Sequence, residues 1–508
     1  MQSKTAANVL GRVYLVGAGP GDPLLITLRA VECLRQADLV LYDYLVNAEI
    51  LEHAAGAQCE CLGRHGQGRL ISQADINKRL VDEARLGKVV VRLKGGDPVI
   101  FARAAEETAA LSAAGIPWEI VPGVTAALAA GSYAGIHITD RNEASGVALV
   151  TGHESPDKGG APLDYAALAR FPGTLIFYMG VTTAPHWSAA LLAAGKPAET
   201  PVTIVRRCSW SDQQVLECSL GALAEVLAPG KMRPPAIILV GEVAHPPRER
   251  SWLGTRPLFG QTVLVTRPEA QNDRLRLQLQ LLGAEVLVQP AIAISAPRNF
   301  AEIDAAIANL SGFDWIVFSS ANGVRYFFSR LANLDQDARA LARTKIAAIG
   351  PATAEELSAT HGLRADLVPE TYRAEALAEA LSQEANGRRF LLVRASRGRE
   401  VLSEQLLAAG GDVTQVVAYQ SVDVQLPASE IAERLRAGEI HWTTATSSAI
   451  ARSLVAMFGD RLHQTRLVSI SPLTSSVLRE SGFEPQAEAV LYTADGLIQA
   501  ILEADKQS

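Results

Sequence analysis

Residues 13–23 read VYLVGAGPGDP: an apolar run that suits a buried strand, then a turn whose glycines accept positive φ and let a ligand approach the backbone. A dinucleotide loop is the obvious rival. Gly17, Gly19 and Gly21 do not complete GxGxxG, and Pro20 and Pro23 remove donors that a diphosphate cradle would use. A tight βα turn and a ligand loop both remain open for this stretch alone. A second passage of the same build, VVVRLKGGDPVIFAR at 89–103, again places glycines and an Asp-Pro pair directly after a strand. There Asp97 either receives ligand donors or caps the next helix. Strand-like runs also precede amphipathic stretches at VYLVG before LITLRAVECLRQA and at TLIFYMG before HWSAALLAAG. This alternation predicts an α/β chain with largely parallel sheets.

The 508 residues are 48% hydrophobic and 20% charged, enough apolar content for several cores and too much for a disordered chain. The formal charge of −7 gives no global field for nucleic acid, although local basic clefts remain compatible with it. The opening MQSKTAANVLGRVYLVG lacks a secretory apolar core, and apolar runs stop well short of the roughly 20 residues that a membrane helix needs. The expectation is a cytoplasmic protein with no membrane or nucleic-acid partner. Its five cysteines, Cys33, Cys59, Cys61, Cys208 and Cys218, show no metal-ligand spacing, so no metal is expected.

Residues 244–260, AHPPRERSWLGTRPLFG, break the periodicity and read as a linker. Beyond them the chain repeats itself. TVLVTRPEAQ with its following helix matches FLLVRASRGRE, pairing Val265 with Val393; FDWIVFSSANGV matches IHWTTATSSAIA, pairing Trp315 with Trp442; and TKIAAIGPATAEEL matches TRLVSISPLTSSVL, pairing Pro351 with Pro472. Two copies of an α/β unit of about 120 residues are expected.

The first part resembles the uroporphyrinogen-III C-methyltransferases among the tetrapyrrole methylases over about residues 10–245. VYLVGAGPGDP, YDYLV, GRHG followed by QADIN, VVRLKGGDP, VPGVTAA, GIHITDR, LIFYMG and PPAIILVGEV stand in the family order. The resemblance implies two α/β lobes, 10–125 and 126–245, with S-adenosylmethionine between them and a homodimer formed through this part. Carried over residue by residue, the cofactor set is Pro20, Gly95, Gly96, Asp97, Ile100, Thr125, Ala126 and Met179, where Thr125 as a helix cap and Met179 as core filler are the plain alternatives. Asp43 takes the place of the family's acid-base carboxylate. Arg64 stands where a basic partner is usual and, being permanently protonated, suits electrostatics better than proton donation. RRCSWSDQ departs from the family's NGT-like segment, with Cys208 read as packing. Arg141, together with Arg12, Lys94, Arg103, Arg206 and Arg207, supplies candidate cations for the eight carboxylates of uroporphyrinogen III.

Residues 260–505 resemble uroporphyrinogen-III synthase through VTRPEAQ, FSSANGV, AAIGPATAEEL, VPETYRAEALAEAL, LLVRASRGRE, VVAYQS and TSSAI. The implied fold has two lobes, one from 261–290 with 425–505 and one from 291–424, after a linker at 246–260. Its implied substrate is hydroxymethylbilane. Tyr419 becomes the candidate for assisting hydroxyl departure. Ser319, Ser320, Asn322, Thr446, Ser447 and Ser448, at expected helix starts, and Arg267 and Arg394, at equivalent strand exits, become candidate substrate contacts. Ser471 replaces the glycine of the first copy, Gly350, which raises the expectation of a narrowed loop. The resulting expectation is a bifunctional enzyme: cyclisation with inversion of the last ring, then two methyl transfers giving precorrin-2 for siroheme or cobalamin. Two rivals stay open: an active methyltransferase with a non-catalytic synthase-like half, and a tetrapyrrole-binding regulator with neither activity.

Overall fold

A computed structural model describes residues 10–63, 71–154, 159–245, 251–268, 273–398 and 400–506. The chain divides into two compact units, Met1–Gln261 with Leu279–Glu285 and Thr262–Gln278 with Val286–Ser508.

The first unit holds two sheets. Strands β1 (Arg12–Gly17), β2 (Leu39–Tyr42), β3 (Gln58–Cys61), β4 (Val89–Lys94) and β5 (Trp118–Val121) form an all-parallel sheet in the order β3-β2-β4-β1-β5. Its central strands are buried on both faces because helices cover both, which is why they read as unbroken Val/Leu runs. The second sheet contains β6 (Val147–Thr151), β7 (Thr174–Tyr178), β8 (Pro201–Arg206), β9 (Gln214–Ser219) and β10 (Ala236–Val240), ordered β6-β7-β10-β8-β9. Only β6 and β7 run parallel; β10 is antiparallel to β7 and β8, and β8–β9 is an antiparallel pair. The largely parallel expectation therefore holds for the first sheet and not for the second. AIILV is buried at every position, and a fully buried strand carries no sequence mark of its direction.

Two features tie these lobes together. The helix Ala126–Ala134 packs its alanines against Ile176, Val205, Ile237 and Leu239 of the second sheet. Residues 251–260, expected as linker, are ordered against that helix: Trp252 Nε1 donates to the Ser132 carbonyl at 2.8 Å, its ring lies 4.9 Å from that of Tyr133, and Leu253 and Leu258 are buried. The prolines and charges of the stretch conceal these three apolar anchors.

In the second unit, β11 (Thr262–Val265), β12 (Glu285–Val288), β13 (Ile292–Ser295), β14 (Trp315–Phe318), β15 (Lys345–Ala348), β16 (Arg389–Ala395), β17 (Asp412–Asp423), β18 (Trp442–Ala445), β19 (Arg466–Ser469) and β20 (Ala487–Glu488) form two sheets. Their orders are β12-β11-β18-β19-β20 and β13-β17-β16-β14-β15. The repeat is plain in them: β12-β11-β18-β19 corresponds to β17-β16-β14-β15, and the bridge Ala347–Leu367 stands where β19 meets β20. The copies have exchanged halves, however. β11 of the first copy pairs with β18 of the second, and β16 of the second pairs with β14 of the first. β13 and the end of β17 form an antiparallel ribbon where the chain crosses between lobes, Ile292 opposite Asp423 and Ser295 opposite Gln420.

Candidate active site

In the first unit the loops after β1 and β4 meet. Gly96 N donates to the Gly19 carbonyl at 2.7 Å and Gly19 N to the Gly96 carbonyl at 3.2 Å, so Pro20 sits beside a recess walled by Gly95 and Gly96. A Cβ on Gly96 would meet nothing nearer than 3.7 Å, where Ala126 and Thr125 form the border. Asp97 is fixed rather than free: Oδ1 accepts from Val99 N at 2.8 Å and Oδ2 from Gly123 N at 3.0 Å, while Ile100 N donates to its carbonyl at 3.3 Å. The Asp therefore closes its own turn and ties the β5 exit to the β4 exit; it does not cap the next helix, Ala104–Ala113, which Arg103 precedes.

Thr125 precedes the helix Ala126–Ala134 but does not cap it with its side chain. Its hydroxyl lies 2.6 Å from that of Tyr178, which itself accepts from Ala127 N at 2.9 Å. Tyr178 thus replaces the cap from across the lobe junction. Met179, next along, adopts φ 53° and is half exposed; Phe101, also at positive φ, packs its ring 5.1 Å from Tyr178. A non-glycine residue held in that region is strained, and its side chain here faces solvent rather than the core. Met179 is no core filler. Cys208 is: it lies in the apolar cluster under the helix, and burial pushes its thiol up to about 12.

Asp43 follows β2. Its Oδ1 accepts from Arg92 Nη2 at 2.5 Å, and its side chain remains 31% exposed. Behind it lies a buried set: Arg92 Nε and Lys94 Nζ donate to Oε1 of Glu107 at 3.2 and 2.8 Å. Burial is the main cause that lowers the Lys94 pKa. Lys94 is thereby committed to Glu107, not presented to an anion. Arg12 begins β1, at the end of the sheet opposite the loops; Arg103 pairs with Glu106, and Arg207 with Asp212; Arg141 is exposed. Arg64 lies outside the described residues. Sequence reading missed Arg92, Glu107, Gly123 and Tyr178. The signal for Arg92 and Lys94 was available: two cations two apart on one face of a buried strand need a partner.

In the second unit Ser319, Arg394 and Tyr419 line one cavity with Arg397, Ser403 and Gln415. Ser319 Oγ donates to the Val393 carbonyl at 3.2 Å. Ser320 caps its helix at Gly323 N and stands 3.0 Å from the Tyr419 hydroxyl, to which Asn322 also bonds. A bulge between Arg394 and Ala395 shifts the register so that Ala395 faces Tyr419. Strand alternation breaks there, with Ala418 and Tyr419 both buried, and the phenol is turned into the cavity wall. Burial pushes its pKa up. Arg394 is not free for substrate as placed: Nη1 binds Glu400 and Gln415, each at 2.5 Å. In the other lobe Arg267 leaves β11 largely desolvated, which lowers its pKa; Ser447 caps Ile450 N at 3.2 Å, Ser448 starts that helix, and the Thr446 hydroxyl is buried without a partner among the described residues. Ser471 brings no strain. Its φ of −164° matches the −174° of Gly350 as extended backbone, and it caps Thr474 N.

No helix of the described residues is long and apolar enough to cross a membrane. The family model for tetrapyrrole (corrin/porphyrin) methylases matches residues 12–224, and that for uroporphyrinogen-III synthase HemD matches 273–499. The chain is 33% identical over 497 residues to a porphyrin biosynthesis protein HemD of Ruminiclostridium josui, covering 97% of this chain and 98% of that one. It is 36% identical to the uroporphyrinogen-III C-methyltransferase of Bacillus subtilis over 333 residues, 65% of this chain and 68% of the relative. It spans about half the length of siroheme synthases such as that of Pseudoalteromonas translucida, at 44% identity over 247 residues, 48% of this chain and 52% of the relative. Among solved structures, a uroporphyrin-III C-methyl transferase of Thermus thermophilus complexed with S-adenyl homocysteine is 41% identical, with 46% of this chain and 98% of that chain covered and a TM-score of 0.40.

Proposed function

Because the chain belongs to the tetrapyrrole methylases over its first half and to the uroporphyrinogen-III synthases over its second, and so to S-adenosylmethionine-using tetrapyrrole biosynthesis, we propose that it carries two consecutive reactions. The second unit closes hydroxymethylbilane to uroporphyrinogen III with inversion of the last ring. The first methylates that product twice, giving precorrin-2 for siroheme or cobalamin. The observation that carries this reading is the pairing of the Gly95–Gly96 turn, which has no side chains to bar a ligand, with the partly exposed Asp43 carboxylate, both at strand exits of one sheet.

The recess fits S-adenosylmethionine. Gly95 and Gly96 add no side chain to the space, Thr125 and Ala126 border Gly96, Pro20 and Ile100 stand on the two joined loops, and Met179 is half exposed. When bound, the cofactor supplies an electrophilic methyl group on its sulfonium. Asp43 accepts the proton that the ring system must lose after each methyl transfer, since the methylated carbon already bears a carboxylate side chain and has no hydrogen of its own. Arg64 and Arg141 offset substrate carboxylates.

In the synthase half the substrate hydroxyl leaves as water, taking a proton. Tyr419, kept protonated by burial and oriented by Ser320 and Asn322, is the donor. Ser319, Thr446, Ser447, Ser448, Arg267 and Arg394 contact acetate and propionate groups, Arg394 after giving up Glu400. The engagement of Arg394 Nη1 by Glu400 and Gln415 is the specific observation that favours the rival with a non-catalytic second half.

The test supplies the full chain with hydroxymethylbilane, with and without S-adenosylmethionine, and identifies isomer and methyl count. Dimethylated isomer III is expected. Failure to make isomer III removes the synthase assignment, and failure to methylate supplied uroporphyrinogen III removes the other. Asp43→Ala should impair methylation and spare cyclisation, and Tyr419→Phe the reverse. The reading includes a cytoplasmic homodimer joined through the methyltransferase part, for which a monomeric sedimentation coefficient is the adverse result.

A further inference from the structure

The buried charges beneath Asp43 are not used by the chemistry above, and their arrangement is costly. Arg92 and Lys94 are each 3% exposed in their side chains and Glu107 is fully buried. Oε1 of Glu107 receives Arg92, Lys94 and Gln73, the last at 3.1 Å, and Oε2 has no partner among the described residues. Burying such a set contributes little net stability, because apolar residues of the same volume would serve as well or better. Its geometry points elsewhere. Every nitrogen of the Arg92 guanidinium is engaged: Nε on Glu107, Nη1 on the carbonyls of Leu41 and Leu93 at 3.4 and 3.2 Å, and Nη2 on Asp43. A planar fork held at Nε and Nη1 cannot turn, so the place of Nη2, and with it the N–H that meets Asp43, is fixed.

We propose that Arg92, clamped by Glu107 and seconded by Lys94, is a positioning residue for methyl transfer: it touches no substrate and acts by holding Asp43 in one orientation at the end of β2. This rests on the reading of Asp43 as the proton acceptor. Lysine at 92 would keep the charge but lose the fork, so the donor to Asp43 would no longer be aimed by Glu107 and the carbonyls of Leu41 and Leu93.

The experiment measures kcat and KM of the full-length chain with uroporphyrinogen III and S-adenosylmethionine. The variants are Arg92→Lys, Asp43→Ala and the double variant, together with S-adenosylhomocysteine affinity and Tm for each. Loss of alignment by about an ångström costs on the order of 100-fold, so Arg92→Lys should lower kcat by roughly 10- to 100-fold with KM little changed. In the Asp43→Ala background the same substitution should have no further effect. An equal loss in both backgrounds, or a loss that follows Tm, overturns positioning while leaving Asp43 in its role. Wild-type turnover of Asp43→Ala overturns both. Glu107→Gln, which keeps the volume and one acceptor, repeats the test where Arg92→Lys folds poorly: its kcat loss should likewise vanish in the Asp43→Ala background, and its persistence there refutes the clamp.

Discussion

Gly123→Ala should separate packing from ligand contact in the first unit. Gly123 lies in VPGVTAA, where its amide donates to Asp97, and an added Cβ would stand 2.3 Å from the Gly96 carbonyl oxygen and 2.8 Å from Gly17 Cα. Both obstacles are backbone, so neither can rotate away. Carbon-to-oxygen contacts rest near 3.3 Å at closest, so the loops must part by about 1 Å. That opens the Gly19–Gly96 bridge. Overpacking of this kind costs roughly 1–3 kcal/mol. In a unit of this size about 1 kcal/mol lowers Tm by roughly 2–4 °C, so the expected fall is on the order of 2–12 °C. If the strain is instead relieved by deforming the recess, the same free energy appears as a Kd for S-adenosylhomocysteine weakened about 5- to 150-fold. Calorimetry reads both. Gly95→Ala is the contrast: its Cβ would meet only Leu45 at an ordinary 3.4 Å, so Tm should hold while affinity falls if Gly95 faces the cofactor. Wild-type Tm together with wild-type affinity in Gly123→Ala would refute the claim that the three strand exits are packed backbone on backbone.

Two further outcomes follow from the lobe junction. Tyr178→Phe removes the acceptor for Ala127 N and the partner of Thr125, so it should cost about 1–2 kcal/mol in urea unfolding; an unchanged midpoint would mean that another group caps the helix. Cys208 should resist alkylation at pH 8.5 while exposed Cys59 reacts, and labelling of Cys208 without unfolding would refute its burial. Its folded pKa is raised from 9.0 to about 12, so the neutral thiol's contribution is complete below pH 9 and is lost as pH rises toward 12. Cys208→Ala should flatten that alkaline limb of the stability curve.

What the sequence disclosed was local: the glycines after the apolar runs of β1 and β4 mark strand exits, where turn geometry and close backbone approach demand them. It also disclosed the repeat. Glu107 stayed hidden because AAEETAALSAAG reads as a helix with two adjacent acidic residues, and which of them faces inward depends on the helix's seat over β4, not on composition. Glu106 turned out to be the solvent partner of Arg103 and Glu107 the buried one. Arg394 was legible as a strand-exit cation but not as a neutralised one, since Gln415 comes from the next strand and Glu400 from the turn. The direction of β10 was unreadable for a simpler reason: five buried residues carry no period.

The exchange of halves in the second unit has a physical consequence that a plain tandem would lack. Had each copy kept its own halves, one segment would have joined the lobes. Exchange requires two crossings, and here they lie side by side: β13 pairs with the end of β17, Val424 N donates to the Ala291 carbonyl at 3.0 Å, and Ala428 N to Gln289 Oε1 at 2.7 Å. A hydrogen-bonded ribbon of two strands restrains the lobes more than a single strand would. Tyr419 stands at the root of this ribbon, one residue before Gln420 pairs with Ser295, with the bulge just before it. A hydroxyl there holds its place in its own lobe through Ser320 whatever angle the other lobe takes. Placement beside both crossings suits the role of proton donor proposed for Tyr419.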